Sequence, residues 1–253
     1  YPLPAGEPAE TRWKLGQGYV IGTSQDTQTL FAAQILCDVL CGSNHAPLCR
    51  AILEQGLAED VVLSCDEQCM QPNLLLRVQN FREADLPAIQ ATIRDTLTAL
   101  CENGLDREQI EASLASFEFK LRERDYGTMP RGLIFALEIL ASWLYGGDPA
   151  ARLCFSEVFD DLRAAIGTGY YETLLRRLLL ENPHTAEILL RPSQTCGRIA
   201  RKRWLRSRTC SFLTCRATRP PSRRRRRPMA ALSSMPCRPT ALCIRRPISR
   251  PMI

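Results

Sequence analysis

The sequence predicts an α+β fold in which several helices pack on a largely antiparallel sheet. Residues 12–22 alternate with a period of two, which predicts a strand. The apolar face of that strand consists of Trp13, Leu15, Tyr19 and Ile21. Further along the chain, apolar residues recur every three or four positions, which predicts amphipathic helices. The fold class therefore depends on the order in which the two kinds of element occur.

One strand, two helices and two further strands are predicted in the first part of the chain. The strand over 12–22 comes first. Apolar stripes then predict a helix over 30–41 and a shorter helix over 47–55, each followed by a glycine that is able to end it. Apolar, β-compatible runs at 61–63 and 74–78 are separated by polar residues, which predicts two antiparallel neighbours.

A run of helices and a last strand are predicted in the second part of the chain. Apolar stripes mark helices over 86–100 and 110–121. The segment 131–145 is apolar nearly all round, as expected of a helix that is enclosed by protein. A helix around 170–180 and a strand over 184–191 complete an order that is typical of α+β domains.

Two local signals predict where helices begin. Asp106 followed by Gln109 resembles a capping box and opens the helix over 110–121. Asp148-Pro149 supplies an N-cap and a first-turn proline, which predicts another helix at that point. Residues 124–130 break the helical pattern and are predicted to form a loop.

The charge distribution divides the chain between Thr195 and Cys196. Residues 1–195 contain 16 Lys+Arg and 27 Asp+Glu, whereas residues 196–253 contain 17 Lys+Arg and no acidic residue. The overall net charge of +6 therefore describes neither part. We predict an α+β domain over 1–195 and a disordered Arg/Pro/Cys-rich tail over 196–253, because the tail buries too little apolar surface to offset the entropy of ordering.

The apolar stretches, the first residues and the cysteines of the chain indicate the cellular compartment in which the protein is expected. No stretch approaches the about 18–20 apolar residues that a membrane-spanning helix needs. The chain begins at Tyr1 and no signal region follows, so we expect its true start to lie upstream. The seven cysteines of 1–195 are odd in number and most lie among helical apolar residues, which favours reduced thiols. These features predict an intracellular, cytoplasmic location without a membrane partner.

The histidines do not make a zinc peptidase site by themselves. Such a site needs two imidazoles one helical turn apart and a nearby glutamate base. The chain has only His45 and His184, which are 139 residues apart. A lone histidine in a turn is more often a surface residue than a metal ligand.

Two cysteine pairs leave a choice between a metal site and core packing. The Cys-x-x-x-Cys spacing occurs at Cys37/Cys41 and at Cys65/Cys69, and four thiolates would bind a metal if both pairs converged. The first pair lies on an apolar stripe, where cysteine behaves as a small apolar residue, and we favour this second interpretation. The sequence thus predicts no catalytic residue, no cofactor-binding residue and no metal ligand.

Three segments resemble the insulinase/pitrilysin-type zinc metallopeptidases. Residues 40–57 (LCGSNHAPLCRAILEQGL) resemble the family pattern LLG…SPL…AL.E.GL, with Ala46 where the family often has serine. Residues 104–123 look like the helix that follows in the family. Residues 130–149, together with Asn-Pro-His at 182–184, point to the presequence-protease branch. The resemblance covers essentially all of the acidic part of the chain.

The resemblance implies a role as well as a fold. Members of that branch have four related α+β domains in two halves that close around a chamber, and the first domain carries the inverted zinc motif. This chain is similar to the second domain, which has no zinc motif. The resemblance therefore implies a scaffold that helps to wall the chamber and packs against the upstream catalytic domain. The zinc ion and the peptide substrates are expected to belong to the parent protein.

Three interpretations of residues 196–253 remain open. A genuine basic arm would bind nucleic acid or an anionic membrane through counterion release, although Lys202 is its only lysine. A zinc module is opposed by the irregular spacing of the tail cysteines and by the lack of histidine. We favour the third interpretation, an out-of-frame translation of a GC-rich gene. Such a translation accounts for a composition that is rich in Arg, Pro, Ala, Ser and Cys. Nucleic acid is then not expected as a partner.

The out-of-frame interpretation makes a prediction about the gene. Residues 201–204, Arg-Lys-Arg-Trp, can be encoded AGG AAG AGA TGG, and the same string in another frame contains GAA GAG ATG, which encodes Glu-Glu-Met. We expect the nucleotides beyond codon 195 to resume an acidic, family-like sequence in another frame. Sequencing the genomic DNA checks this, and stop codons in both other frames would contradict it.

The leading functional prediction is a fragment of a zinc-dependent, peptide-degrading metalloendopeptidase. The fragment supplies a non-catalytic domain and is predicted to be inactive alone. One alternative is a stand-alone binding protein that uses its Arg-rich tail for nucleic acid or other polyanions. A further alternative is a structural subunit that pairs with a separate zinc-bearing chain.

Overall fold

A computed structural model describes residues 1–4, 6–123 and 127–193, whose strands form one four-stranded sheet. The strands are β1 (Trp13–Val20), β2 (Asp60–Asp66), β3 (Asn73–Phe81) and β4 (Thr185–Leu190). Their order in the sheet is β2-β3-β1-β4, and every neighbouring pair is antiparallel. The predicted α+β class with a largely antiparallel sheet is confirmed.

Except for α6, the helices of the described residues match the predicted segments closely. They are α1 (Thr27–Cys41), α2 (Pro47–Leu53), α3 (Leu86–Asn103), α4 (Arg107–Glu123), α5 (Arg131–Trp143), α6 (Ser156–Ala164) and α7 (Tyr170–Leu175). A 3₁₀ turn at Glu83–Asp85 precedes α3, and a π-helical stretch at Arg176–Leu180 continues α7. The Asp106 carboxylate accepts a hydrogen bond from the Glu108 N–H at 3.0 Å, as a helix cap does at the start of α4.

The hydrophobic core lies between the helices and one face of the sheet. Trp13, Leu15 and Tyr19 are buried on that face of β1, which is the face that the alternation predicts. The cross-strand register places Leu15 beside Val78 of β3 and Leu189 of β4. Helix α1 lies against β2, and most of its side chains are buried. Burial of these apolar side chains provides the main driving force for folding.

The helix predicted to begin at Asp148-Pro149 does not begin there. Residues 148–153 form successive turns, and α6 starts only at Ser156. The Asp148 carboxylate accepts a hydrogen bond from the Ala150 N–H at 2.9 Å, which closes an Asx turn. The same side-chain hydrogen bond serves both N-caps and turns, so the local sequence did not distinguish the two.

The surroundings of α5 also differ from the prediction. Ile134 and Ala141 are buried on one side of the helix. On the other side Leu133 is 49% exposed, and the neighbouring Trp143 and Leu144 are 61% and 67% exposed. The prediction that this helix is enclosed on all sides is therefore wrong for the part of the chain that the structure describes. An apolar composition shows which surfaces avoid water but does not show which neighbour covers them.

Some predictions fall outside the described ranges. They are the tail over 196–253, its boundary at Thr195/Cys196, and residues 124–126 of the predicted loop. Within the described ranges, none of the helices combines the length and the apolar character that crossing a membrane requires.

Candidate functional site

The cysteines of α1 and α2 lie in the core beside β2. Cys37 is buried, and desolvation raises the pKa of its thiol well above the usual range. A hydrogen bond shared with Cys49, together with burial, raises the pKa of the Cys41 thiol. Cys49 Sγ donates to the Val61 carbonyl oxygen at 3.3 Å, which ties α2 to the edge of β2. Cys37 and Cys41 are therefore protonated at neutral pH and act as core side chains.

The second cysteine pair is split between a strand and a turn. Cys65 lies on β2, where burial raises the pKa of its thiol to about 12. Cys69 lies in the following turn, where its Sγ donates to the Gln71 carbonyl oxygen at 3.1 Å. Among the residues that the structure describes, no group of three or more His, Cys, Asp or Glu side chains is arranged to hold a metal ion. In this part of the chain the two pairs do not build a four-thiolate site.

Both histidines are exposed and belong to separate loops. His45 lies in the turn between α1 and α2, and His184 lies just before β4. The His184 N–H donates to the Asn182 side-chain oxygen at 2.9 Å, which orders the entry to the strand. The two imidazoles are not one helical turn apart on a helix, so His45 and His184 do not fit the zinc centre of a peptidase.

A polar cleft of about 520 Å³ opens between α3, the π-helical stretch and β4. The Glu187 carboxylate of β4 lies in its wall and accepts hydrogen bonds from Gln17 Nε2 at 2.8 Å and from Gln90 Nε2 at 2.9 Å. The Tyr19 hydroxyl donates to Gln17 Oε1 at 3.0 Å. Arg94 lines the same cleft. The cleft therefore combines amides, a carboxylate and a guanidinium beside one strand.

Tyr19 and Cys101, two titratable residues that line this cleft, are not activated for catalysis. Burial and the nearby Glu187 carboxylate raise the pKa of the Tyr19 phenol. Burial also raises the pKa of the Cys101 thiol, which lines the cleft. Both groups are protonated at neutral pH, so neither is an activated nucleophile or base. The side-chain amides of Gln17 and Gln90 are bonded to the Glu187 carboxylate and order the wall of the cleft.

The α5 helix presents a row of leucines on its exposed side. The row, called here the leucine stripe, consists of Leu133, Leu137, Leu140 and Leu144. Leu133, Leu137 and Leu144 are 49%, 39% and 67% exposed, and Leu140 is half-buried. A spacing of four, three and four residues is the spacing of contacts between two packed helices. The sequence contains this spacing, but apolar residues lie on nearly every side of the helix. The sequence alone therefore does not indicate which side faces outward.

A buried ion pair ties the end of α5 to the rest of the domain. Arg152 follows α5 and is only 1% exposed. Its Nη1 donates to the Glu67 carboxylate at 2.9 Å, and its Nη2 donates to the Glu67 carbonyl oxygen at 3.0 Å. The nearby Tyr145 hydroxyl donates to the Gln68 carbonyl oxygen at 3.4 Å. These contacts hold the segment after α5 against the turn between β2 and β3, and no local pattern in the sequence predicts them.

Known proteins are similar to this domain in sequence and in fold. Residues 8–117 match the family "Peptidase M16 inactive domain". The chain is 35% identical to Protein HypA of Clostridium perfringens over 176 residues, which cover 70% of this chain and 18% of that protein. It is 32% identical to the chloroplastic/mitochondrial Presequence protease 1 of Arabidopsis thaliana over 172 residues, which cover 66% of this chain and 16% of that protein.

A solved structure shows the same fold. The inactive peptidase domain of a Bordetella parapertussis protein superposes with a TM-score of 0.60 at 14% sequence identity, and the match covers 74% of this chain and 94% of that chain. This chain spans less than a fifth of the length of either sequence relative. The resemblance to the insulinase-type peptidases and to their presequence-protease branch is confirmed. Residues 8–117 of this chain form a domain of the M16 peptidase inactive-domain family.

Proposed function

We propose that this chain is the second domain of a zinc-dependent metalloendopeptidase, in which it helps to wall a chamber that holds peptide substrates. The observation that carries the proposal is the match of residues 8–117 to the M16 inactive domain. The sequence relatives are several times longer than this chain and include a presequence protease, which supports a parent protein with further domains. The zinc ion is assigned to the upstream catalytic domain, because the histidines and cysteines described above do not fit a zinc peptidase centre.

The leucine stripe is the face by which this domain packs on the catalytic domain. Soluble single domains rarely leave a contiguous apolar row of this kind in water. Burying a leucine side chain contributes roughly 1.5–3 kcal/mol, so several leucines in one contact provide a strong driving force for association. The spacing of the stripe fits a helix of the catalytic domain laid alongside α5. The Arg152–Glu67 ion pair then holds the end of α5 in the position that this contact requires.

A two-chain reconstitution tests the proposal. We expect this chain alone to hydrolyse no peptide, and the upstream domain of the parent gene to become active when this chain is added. Leu137→Glu should weaken the association roughly a hundredfold, because a carboxylate replaces a buried leucine at the interface. Isothermal titration calorimetry measures the affinity, and cleavage of a fluorogenic peptide measures the activity.

Phe119→Glu is the matched control for the reconstitution. Phe119 is 63% exposed on α4, outside the leucine stripe, so the same carboxylate there should leave the affinity unchanged. The thermal unfolding of both variants should match that of the unmodified chain, since both positions face water. Metal-dependent peptidase activity of this chain alone, or normal association of Leu137→Glu, would contradict the proposal.

We also propose an intracellular location for this domain. The support is that the seven cysteines of the described residues are free thiols and form no disulfide there. Thiols of this kind persist in reducing compartments.

A further inference from the structure

We propose that the outer edge of β4 is a docking site for an extended polypeptide segment that leads into Tyr1. The segment would add to the sheet as a fifth strand, parallel to β4. The proposal shares one premise with the proposed function, namely that this domain belongs to a longer chain. It does not depend on what that chain hydrolyses.

The hydrogen bonding of β4 shows which of its main-chain groups point outward. The Val20 N–H of β1 donates to the carbonyl oxygen of His184 at 3.0 Å, in the same register as the strand pair. In an antiparallel ladder alternate residues bond to the same neighbour, so the even-numbered residues of β4 bond to β1. The N–H and C=O groups of Thr185, Glu187 and Leu189 therefore point to the other side. Across the described residues, no main-chain hydrogen bond reaches these outward groups.

The start of the chain already pairs with this edge at its far end. The Ser193 N–H donates to the Tyr1 carbonyl oxygen at 2.8 Å, and the Leu3 N–H donates to the Ser193 carbonyl oxygen at 3.2 Å. The Tyr1 nitrogen donates to the Arg191 carbonyl oxygen at 2.7 Å. These bonds make a parallel bridge between Pro2 and Ser193. Arg191 and Ser193 are odd-numbered, as are the residues of β4 whose main-chain groups point outward. The bridge therefore lies along the same edge of the strand as those groups.

The parallel direction determines where a longer segment would go. In a parallel pair both strands run the same way, so residues preceding Tyr1 would follow β4 from Arg191 back toward Thr185. At about 3.3 Å per residue, roughly six residues are enough to cover this edge. The three hydrogen bonds that hold Tyr1 and Leu3 place the entering segment at the correct end of the strand.

Both faces of a fifth strand would cover apolar surface. Lys14 Nζ lies 5.0 Å from the centroid of the Tyr1 ring, which puts Tyr1 on the face of the sheet that is turned away from the helices. Counting back from Tyr1, the second and fourth preceding residues share that face and meet Leu190 and Ile188, which are 43% and 59% exposed. The third preceding residue lies on the helix side and meets Leu189, which is 40% exposed. Apolar residues at those three positions would remove all three side chains from water.

Three of the usual protections against edge pairing, namely lysine, proline and a bulge, do not occur in β4, and its one charged side chain, Glu187, is bonded to Gln17 and Gln90. An apolar edge of this kind pairs readily with another strand. A segment covalently joined to Tyr1 is favoured over a second copy of the chain, because its attachment gives a high effective concentration and the parallel direction.

Hydrogen exchange measured by mass spectrometry tests the proposal on the full chain. A six-residue extension, Lys-Thr-Ile-Val-Val-Thr, is joined before Tyr1 and compared with a Gly-Ser extension of the same length. The apolar extension should slow the exchange of the Glu187, Leu189 and Arg191 amides at least about tenfold relative to the Gly-Ser extension. Equal exchange with the two extensions would overturn the proposal.

Two substitutions at one position identify the cause of the protection. Leu189→Pro removes an outward N–H, and proline is tolerated on an edge strand where the N–H does not bond to its neighbour. This variant should lose the added protection while its circular dichroism stays unchanged. Leu189→Ala keeps the N–H and should retain the protection. Protection that survives Leu189→Pro, or that appears without an extension as concentration rises, would overturn the proposal, the latter in favour of a second copy. These measurements involve no peptidase activity, so they fail independently of the proposed function.

Discussion

Replacing Arg152 with methionine is expected to lower the free energy of unfolding by about 3 kcal/mol. The guanidinium is 1% exposed and donates to both the carboxylate and the carbonyl oxygen of Glu67. Removing it leaves the Glu67 carboxylate without this partner. The Glu67 side chain is 24% exposed, so water compensates in part and the expected loss lies at the lower end of the range for broken buried ion pairs. Urea denaturation measures the change.

Arg107→Met is the matched control for this prediction. Arg107 pairs with Glu111 one helical turn away, and the two side chains are 71% and 49% exposed. An exposed pair of this kind contributes about 0.5 kcal/mol or less. Adding Glu67→Gln to Arg152→Met should recover part of the lost stability, because the uncompensated charge is removed. A loss below about 1 kcal/mol for Arg152→Met would show that the pair does not hold the segment after α5.

Replacing Phe159 with alanine is expected to cost about 3–5 kcal/mol of folding free energy. Phe159 is fully buried on α6, and its ring centroid lies 5.4 Å from that of Phe31 on α1. The rings of Phe117 on α4 and Phe155 each lie 5.7 Å away. The alanine variant leaves a cavity where three elements meet, and it also removes one edge-to-face and two tilted ring contacts. Thermal and urea denaturation both report this loss.

The control for the aromatic cluster is Phe119→Ala. Phe119 is 63% exposed and lies on α4 close in sequence to Phe117. Truncating it removes the same number of atoms but opens no cavity, so the change should stay within about 0.5 kcal/mol. Similar losses for the two variants would contradict the assignment of Phe159 to the core.

The elements that the sequence predicted well are those whose pattern is local. Trp13, Leu15 and Tyr19 alternate along one strand, and the structure buries all three on one face. The runs at 61–63 and 74–78 became β2 and β3, which pair as predicted. Burial on one face of a strand or helix depends on side chains a few positions apart, so a single sequence carries the information.

The predictions that were wrong depended on signals with more than one structural meaning. The Asp148 side chain closes a turn, although the same Asp-Pro pair also starts helices. The all-round apolar character of α5 is real, but its leucine side is exposed in the described residues. In both cases the deciding factor was the position of other segments, which local composition does not specify.

For the candidate interaction surface at the edge of β4, the sequence predicted the strand but not its position in the sheet. Apolar residues over 184–191 predicted a strand, but they did not show that this strand lies at an edge of the sheet. That position follows from pairing with β1, whose residues lie more than 160 positions earlier in the chain. The bridge between Pro2 and Ser193 spans nearly the whole described chain, so no local pattern could indicate it.

The sequence by itself determined the α+β class, most helices and strands, and the resemblance to a non-catalytic peptidase domain. Those properties follow from the period of the apolar residues and from short motifs. Only the tertiary structure decided that, among the described residues, β4 is an edge strand of the sheet, that the leucine stripe faces outward, and that Arg152 is buried against Glu67. Each of these depends on contacts between residues far apart in the chain, and such contacts form only when the whole domain has packed.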